Sequence, residues 1–204
     1  RGLLWYCIAF SAAERESAYV IDGLMHNNVI KSDIHSTDVH GYSESIFATA
    51  HLIGVSYAPR IKDLKRQPLY IFKSHDKNVR KHWKIKPDKY VNEVLITEYW
   101  DDILRFIATI KLKESTASDI FRRLNSYSKQ HKLYQALKAF GQIIKTEFIL
   151  RYIDDVELRQ AIEKQLNWVE LSNRFSRAVS IGNPKEFSQV EGDNQNVAAH
   201  CTRL

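Results

Sequence analysis

The stretch HSTDVHGYSESIFATAHLIGVSYAPRIKDL, residues 35–64, decides how the rest of the chain is read. Its left edge closes a run from Val29 to Asp38 with the alternation of a strand. Ile34, Ser36 and Asp38 fall on one face, and Asp33, His35 and Thr37 on the other. After a turn at His40-Gly41, Ile46, Phe47, Ala50 and Ile53 recur at helical spacing. That pattern predicts a helix over Gly41–Gly54, with Gly54 as its stop. Val55–Ile61 reads as a third short strand, ended by the polar run IKDLKRQP. Working outward, LLWYCIAF (3–10) is a short, aromatic-rich apolar run and reads as a buried strand. Glu14–Asn27 reads as a helix with Ala18, Ile21, Leu24 and Met25 on one face. The order strand, helix, strand, helix, strand predicts an α/β fold, a parallel or mixed sheet flanked by helices.

Beyond residue 62 the pattern changes. LYIF (69–72) allows one more strand, and a basic segment follows to residue 89. From there the chain reads as helical nearly to its end. Val91–Leu112 carries Ile103, Leu104, Ile107 and Ile110 on one stripe, and Thr116-x-x-Asp119 predicts the capped start of a short helix through Leu124. Leu133, Leu137, Phe140, Ile144 and Phe148 line a longer helix. Asp154 or Asp155 then caps a last one running to about Ile181. The boundaries implied are 1–62, 63–152, 153–182 and a polar segment, 183–204.

Composition excludes several classes. With 44% hydrophobic and 26% charged residues, 7 Gly and 4 Pro, the 204-residue chain is expected to be compact and mostly regular. It lacks an apolar run of about 18 residues, so no membrane partner is expected. Cys7 and Cys201 are too few for a disulfide framework and fit a reducing cytoplasm. The eight histidines are scattered, and His35 and His40 lack metal-ligand spacing.

Charge is the informative quantity. Between Arg60 and Lys89 stand eleven Lys and Arg against three Asp, a local charge of +8; the rest of the chain holds nineteen basic against twenty-one acidic residues. The positive charge is therefore concentrated, as expected of a polyanion-binding patch. Within it Arg60, Lys62, Lys65, Arg66, Lys77, Arg80, Lys81, Lys84 and Lys86 are candidate phosphate contacts, interleaved with Tyr70, Phe72, Trp83 and Tyr90.

Two carboxylates stand out. Asp38 ends a strand, where ligands bind in open sheets, although the same position suits a helix cap. On the last helix Glu163, Asn167, Glu170, Arg174 and Arg177 form a polar stripe beside an apolar one of Trp168, Leu171, Phe175 and Val179. Glu170 reads either as a metal ligand with positioning neighbours or as an i,i+4 partner of Arg174.

The run at 35–64 resembles the "H-(S/T)-T-D-x-x-G" motif and following "APRI-x-(D/N)-L" of transposases of the Tn-three family, the replicative class II bacterial transposons. ALKAFGQIIKTEFILRYIDDVELRQAIEKQLNWVELSNRFSRAV (136–179) is similar to their later block ending in Glu. The resemblance extends from about Ser11 to Leu204 and implies an RNase H-like fold, a mixed sheet flanked by helices with a large, mostly helical insertion. It implies an Asp, Asp, Glu triad holding two Mg²⁺ or Mn²⁺ ions, with Asp38 matching the second Asp and Glu170 the Glu. It further implies DNA (transposon ends and target) as the partner, a homodimer in the intact enzyme, and a bacterial cytoplasmic location. Arg174 and Arg177, on the helix of Glu170, join the candidate DNA contacts.

The chain also departs from that pattern. The first Asp is expected on an earlier strand, before Arg1, so the N-terminal strands are expected to be missing from this fragment. Asp22, on a helix, and Asp33, on the opposite strand face, are not replacements. Trp168 stands where the family commonly has Lys. Two of three ligands imply that the fragment alone is inactive. A non-catalytic DNA-binding or regulatory module, or an inert remnant, is the alternative.

Overall fold

The computed structural model describes residues 21–23, 25, 36, 43–74, 82–87, 89–126 and 131–179. The strands expected at 3–10 and up to Asp38, and the segment after 182, lie outside these. Helix α1, Glu44–Ile53, is the element the sequence marked most clearly. Gly54 takes a left-handed conformation (φ 87°) and its N–H reaches the carbonyls of Ala50 and His51, the glycine-terminated end that the pattern predicts.

The segment 55–61 is not the expected strand. It is irregular, with one β-bridge position at Tyr57, yet Tyr57, Ala58, Pro59 and Ile61 are buried. Pro59 has no N–H to give a ladder, so the apolar pattern that resembled a strand serves side-chain burial instead. A 3₁₀ turn at Leu64–Arg66 follows Asp63, which adopts a left-handed conformation (φ 49°). Strand β1, Tyr70–Ile71, pairs in parallel with β2, Lys89–Tyr90, Tyr70 facing Lys89 and Ile71 facing Tyr90. This small sheet is the one present among the described residues.

The stretch expected as one helix at 91–112 is two. Asn92 caps α2 (Glu93–Glu98) by accepting a bond from Leu95 N at 3.2 Å, and Tyr99 (φ −107°, ψ 17°) interrupts the helix before α3 (Trp100–Lys111). On α3, Ile103, Ile107 and Ile110 are buried as read, but Leu104 is exposed and Phe106 takes its place, edge-on to Phe121 at 5.5 Å. Helix α4 (Ala117–Ser126) starts at the predicted Thr116, whose hydroxyl accepts from Asp119 N at 3.2 Å. A second cap comes from far away in sequence. The buried carboxylate of Asp22 accepts from Ala117 N (2.6 Å) and Ser118 N (3.1 Å), which ties the helical residues 21–23 to α4.

Helix α5, Lys132–Asp154, is the central element. It crosses α1 so closely that a Cβ at Gly141 would overlap the carbonyl of Glu44. Four residues on, buried Lys145 reaches Glu44 Oε1 at 3.3 Å. A cluster built on Ile46, Phe47, Ile103, Phe106, Ile107, Phe121 and Leu137 fills the space among α1, α3, α4 and α5.

At Asp155 the chain turns into α6, Val156–Val179. Asp155 Oδ1 accepts from Leu158 N at 2.8 Å, as predicted, while Arg159 Nη1 donates to the carbonyls of Tyr152 (2.7 Å) and Ile153 (2.6 Å). One residue thus starts α6 and another satisfies the end of α5. A second cluster joins Leu158, Ile162 and Leu166 of α6 to Ala58, Ile61 and Tyr152. Phe148 packs against both clusters.

Candidate functional site

The second cluster positions the helix that carries Glu170. Leu158, Ile162 and Leu166 repeat every four residues and bury one line of α6 against the APRI segment, residues 58–61. On the flank of that line Arg60 Nε meets Glu163 Oε1 at 3.3 Å, both side chains about two-fifths exposed. Helix α6 therefore folds back onto the residues that follow α1, the helix next in sequence after Asp38. Glu170 stands one turn beyond Leu166 and two turns beyond Glu163, roughly 10 Å further along the axis. The packed line ends before it, so its carboxylate is exposed.

The i,i+4 pair between Glu170 and Arg174, the alternative reading of that carboxylate, is not among the ion pairs of the described residues; both side chains are exposed on the same helix. Of the apolar stripe expected beside them, the two members whose side chains are described are not buried either. Trp168 is 54% exposed and Leu171 57%, because they lie away from the line of Leu158, Ile162 and Leu166. Asp38 lies outside the described residues, as do Lys77, Arg80 and Lys81, and for Arg177 only its place in α6 is described. Close to Asp38 in sequence, Ser36 keeps its hydroxyl buried with no hydrogen-bond partner. Among the described residues it is the one buried side-chain polar atom so left. Strand alternation would place Ser36 and Asp38 on one face.

Of the basic candidates, Lys62, Lys65, Arg66, Lys84 and Lys86 are exposed, whereas Arg60 is engaged by Glu163. Asp63 is the acid next to the first group, and the turn at 63–66 presents Lys65 and Arg66 together. Among the described residues no group of three or more His, Cys, Asp or Glu side chains converges, and no helix is long and apolar enough to cross a membrane.

Sequence reading passed over three positions. Lys145 is buried inside an otherwise apolar helix face, and Gly141 is a glycine within a helix, a pattern that itself signals a close approach. Lys138, on the side of α5 facing β2, was hidden because its neighbours come from distant parts of the chain.

Residues 4–204 match the family described as "Tn3 transposase DDE domain". The chain is 38% identical over 193 residues to the transposase for transposon Tn501 of Pseudomonas aeruginosa, covering 93% of this chain and 19% of that protein. It is 34% identical to the transposase for transposon Tn1546 of Enterococcus faecium (91% and 19%), and 39% identical over 166 residues to that of Tn3926 of Escherichia coli (81% and 17%). The chain thus spans about a fifth of the length of these relatives. On this evidence the chain belongs to the Tn3 transposase DDE domain family.

Proposed function

We propose that this chain is the part of a DNA transposase that contributes Asp38 and Glu170 to the metal site of an RNase H-like catalytic core. In this reading residues 1–62 and 153–182 belong to that core and 63–152 form its insertion. The observation that carries the proposal is the return of α6 onto the segment 58–61, through Leu158, Ile162 and Leu166 and the Arg60–Glu163 pair. That return brings the helix of Glu170 back to the stretch of chain that follows Asp38.

The residues suit the group. Glu170 is an exposed carboxylate outside the ion pairs of the described residues, and oxygen donors of this kind match Mg²⁺ or Mn²⁺. Asp38 and Glu170 would hold the ions, which when bound supply Lewis-acid stabilisation of charge during in-line phosphoryl transfer. The rest falls to the chain itself. Arg60 and Glu163 orient α6. Lys62, Lys65, Arg66, Lys84 and Lys86 attract the DNA backbone, and Arg174 extends the positive surface beside Glu170.

The test uses the full-length transposase containing this stretch, with transposon-end DNA and Mg²⁺. Glu170→Gln and Asp38→Asn are expected to lower strand cleavage on the order of a thousandfold or more while leaving DNA binding and thermal stability unchanged. Cleavage at the unsubstituted rate by Glu170→Gln overturns the assignment. The 204-residue polypeptide alone, carrying two of three implied ligands, is expected not to nick DNA.

The exposure of the basic candidates also supports a second role that needs no chemistry, DNA binding through phosphates. Binding should weaken steeply as salt rises.

A further inference from the structure

A groove of about 540 Å³ opens between the small sheet, α2 and α5. Tyr70, Lys89 and Tyr90 line it from the sheet side, and Gln135, Lys138 and Gln142 from α5. Its framework is held from several directions. Tyr70 N donates to Thr146 Oγ1 of α5 at 3.1 Å, Lys73 N to Glu93 Oε1 of α2 at 3.0 Å, and Asn92 caps α2. The groove is thus set by backbone and caps, before any of its outward side chains is used.

Its chemistry is selective. No lining residue is acidic and two are lysines. Lys89 Nζ lies 5.9 Å above the Tyr70 ring, and Tyr90 is 47% exposed. Gln135, Lys138 and Gln142 are spaced i, i+3 and i+7, so an ammonium stands between two amides along one face of α5. The groove also lies at the end of the basic segment, after exposed Lys84 and Lys86.

Rings, lysines and amides in one recess match the parts of a nucleotide strand: bases stack on rings, phosphates meet ammoniums, and amides bond base edges. A duplex offers its phosphates and groove edges but keeps base faces stacked inside, so tyrosine rings lining a groove serve unpaired nucleotides. A cavity of this size holds a short guest and not the width of a duplex.

We infer that this groove binds a short run of unpaired DNA strand, with bases against Tyr70 and Tyr90 and phosphates on Lys89 and Lys138. The inference rests on the transposase reading above, because a strand cut at a DNA end can fray from its complement and present unpaired nucleotides.

The test measures binding of the 204-residue chain to fluorescein-labelled oligo(dT) and to a labelled duplex by anisotropy, over a range of salt. Tyr90→Ala is expected to weaken oligo(dT) binding about tenfold, with Tyr90→Phe restoring it and duplex affinity changing less than about twofold. Lys138→Ala is expected to flatten the salt dependence for oligo(dT) by roughly 0.7 in log–log slope; Lys111→Ala, on α3, should leave it unchanged. If the variants bind oligo(dT) as the parent does, or weaken duplex binding equally, the groove assignment is wrong while DNA binding stands. If the parent chain binds neither probe, the groove assignment and the phosphate-binding role of this chain both fall, whereas the metal-site assignment stands or falls with Glu170→Gln in the full-length transposase.

Discussion

The crossing of α1 and α5 and the outer half of α6 differ in how firmly they are specified. At the crossing, Gly141 leaves room for the Glu44 carbonyl, Lys145 meets the Glu44 carboxylate inside the protein, and Phe47 touches both Tyr57 (5.2 Å) and Phe148 (5.5 Å). Beyond Leu166, α6 carries Trp168, Glu170, Leu171 and Arg174 with their side chains in the open. The difference separates two tasks. Close packing sets where helices run, and a chemical group is carried past the end of the packed line, where a ligand can reach it. Substitutions at the crossing should therefore act on stability, and substitutions on outer α6 on chemistry.

The sharpest way to break this comparison is Gly141→Ala. The new methyl group would force α1 and α5 apart along their length, with an expected loss of about 3 kcal/mol or more in urea unfolding. A loss below about 1 kcal/mol would mean that the crossing is looser than the geometry at Glu44 requires.

Next in size is Lys145→Met. It leaves the Glu44 side chain, about one-fifth exposed, without its cation, which should cost about 2 kcal/mol, less than for a wholly buried partner. Adding Glu44→Gln should recover part of that loss, because the stranded charge is then gone. No recovery would assign the effect to other contacts of the buried ammonium and not to its pairing with Glu44.

The smallest effect is expected where α6 meets Arg60. A double-mutant cycle of Arg60→Ala and Glu163→Ala should give a stability coupling of about 0.5 kcal/mol or less, since both groups are well exposed. A coupling above about 1.5 kcal/mol would place this pair with the buried contacts and erase the contrast.

Much of the helical framework was legible because its signals are local. Gly54 ends α1, Thr116 starts α4 and Asp155 starts α6, since caps depend on residues within one turn. The family resemblance was equally legible in the motifs at 35–64 and 136–179. The small sheet was read only as an allowance at 69–72, since a two-residue strand leaves almost no pattern. The strand expected at 55–61 misled because burial and ladder bonding leave the same apolar signature, and Pro59 withheld the bonds. Leu104 was expected on the buried stripe in error, because Phe106, not Leu104, falls with Ile103, Ile107 and Ile110 at i, i+3, i+4 and i+7, and it packs edge-on to Phe121.

By itself, then, the amino-acid order determined the end of α1 at Gly54 and the starts of α4 and α6, which segment concentrates positive charge, and which two carboxylates are candidates for a metal. Only tertiary structure decided that Asp22 caps a helix 95 positions away, that Lys145 is buried against Glu44, and that α6 lies on Ala58 and Ile61. The reason is range. Backbone capping and periodicity act over a few residues, whereas burial, ion pairing and groove formation depend on which distant surfaces the folded chain presses together.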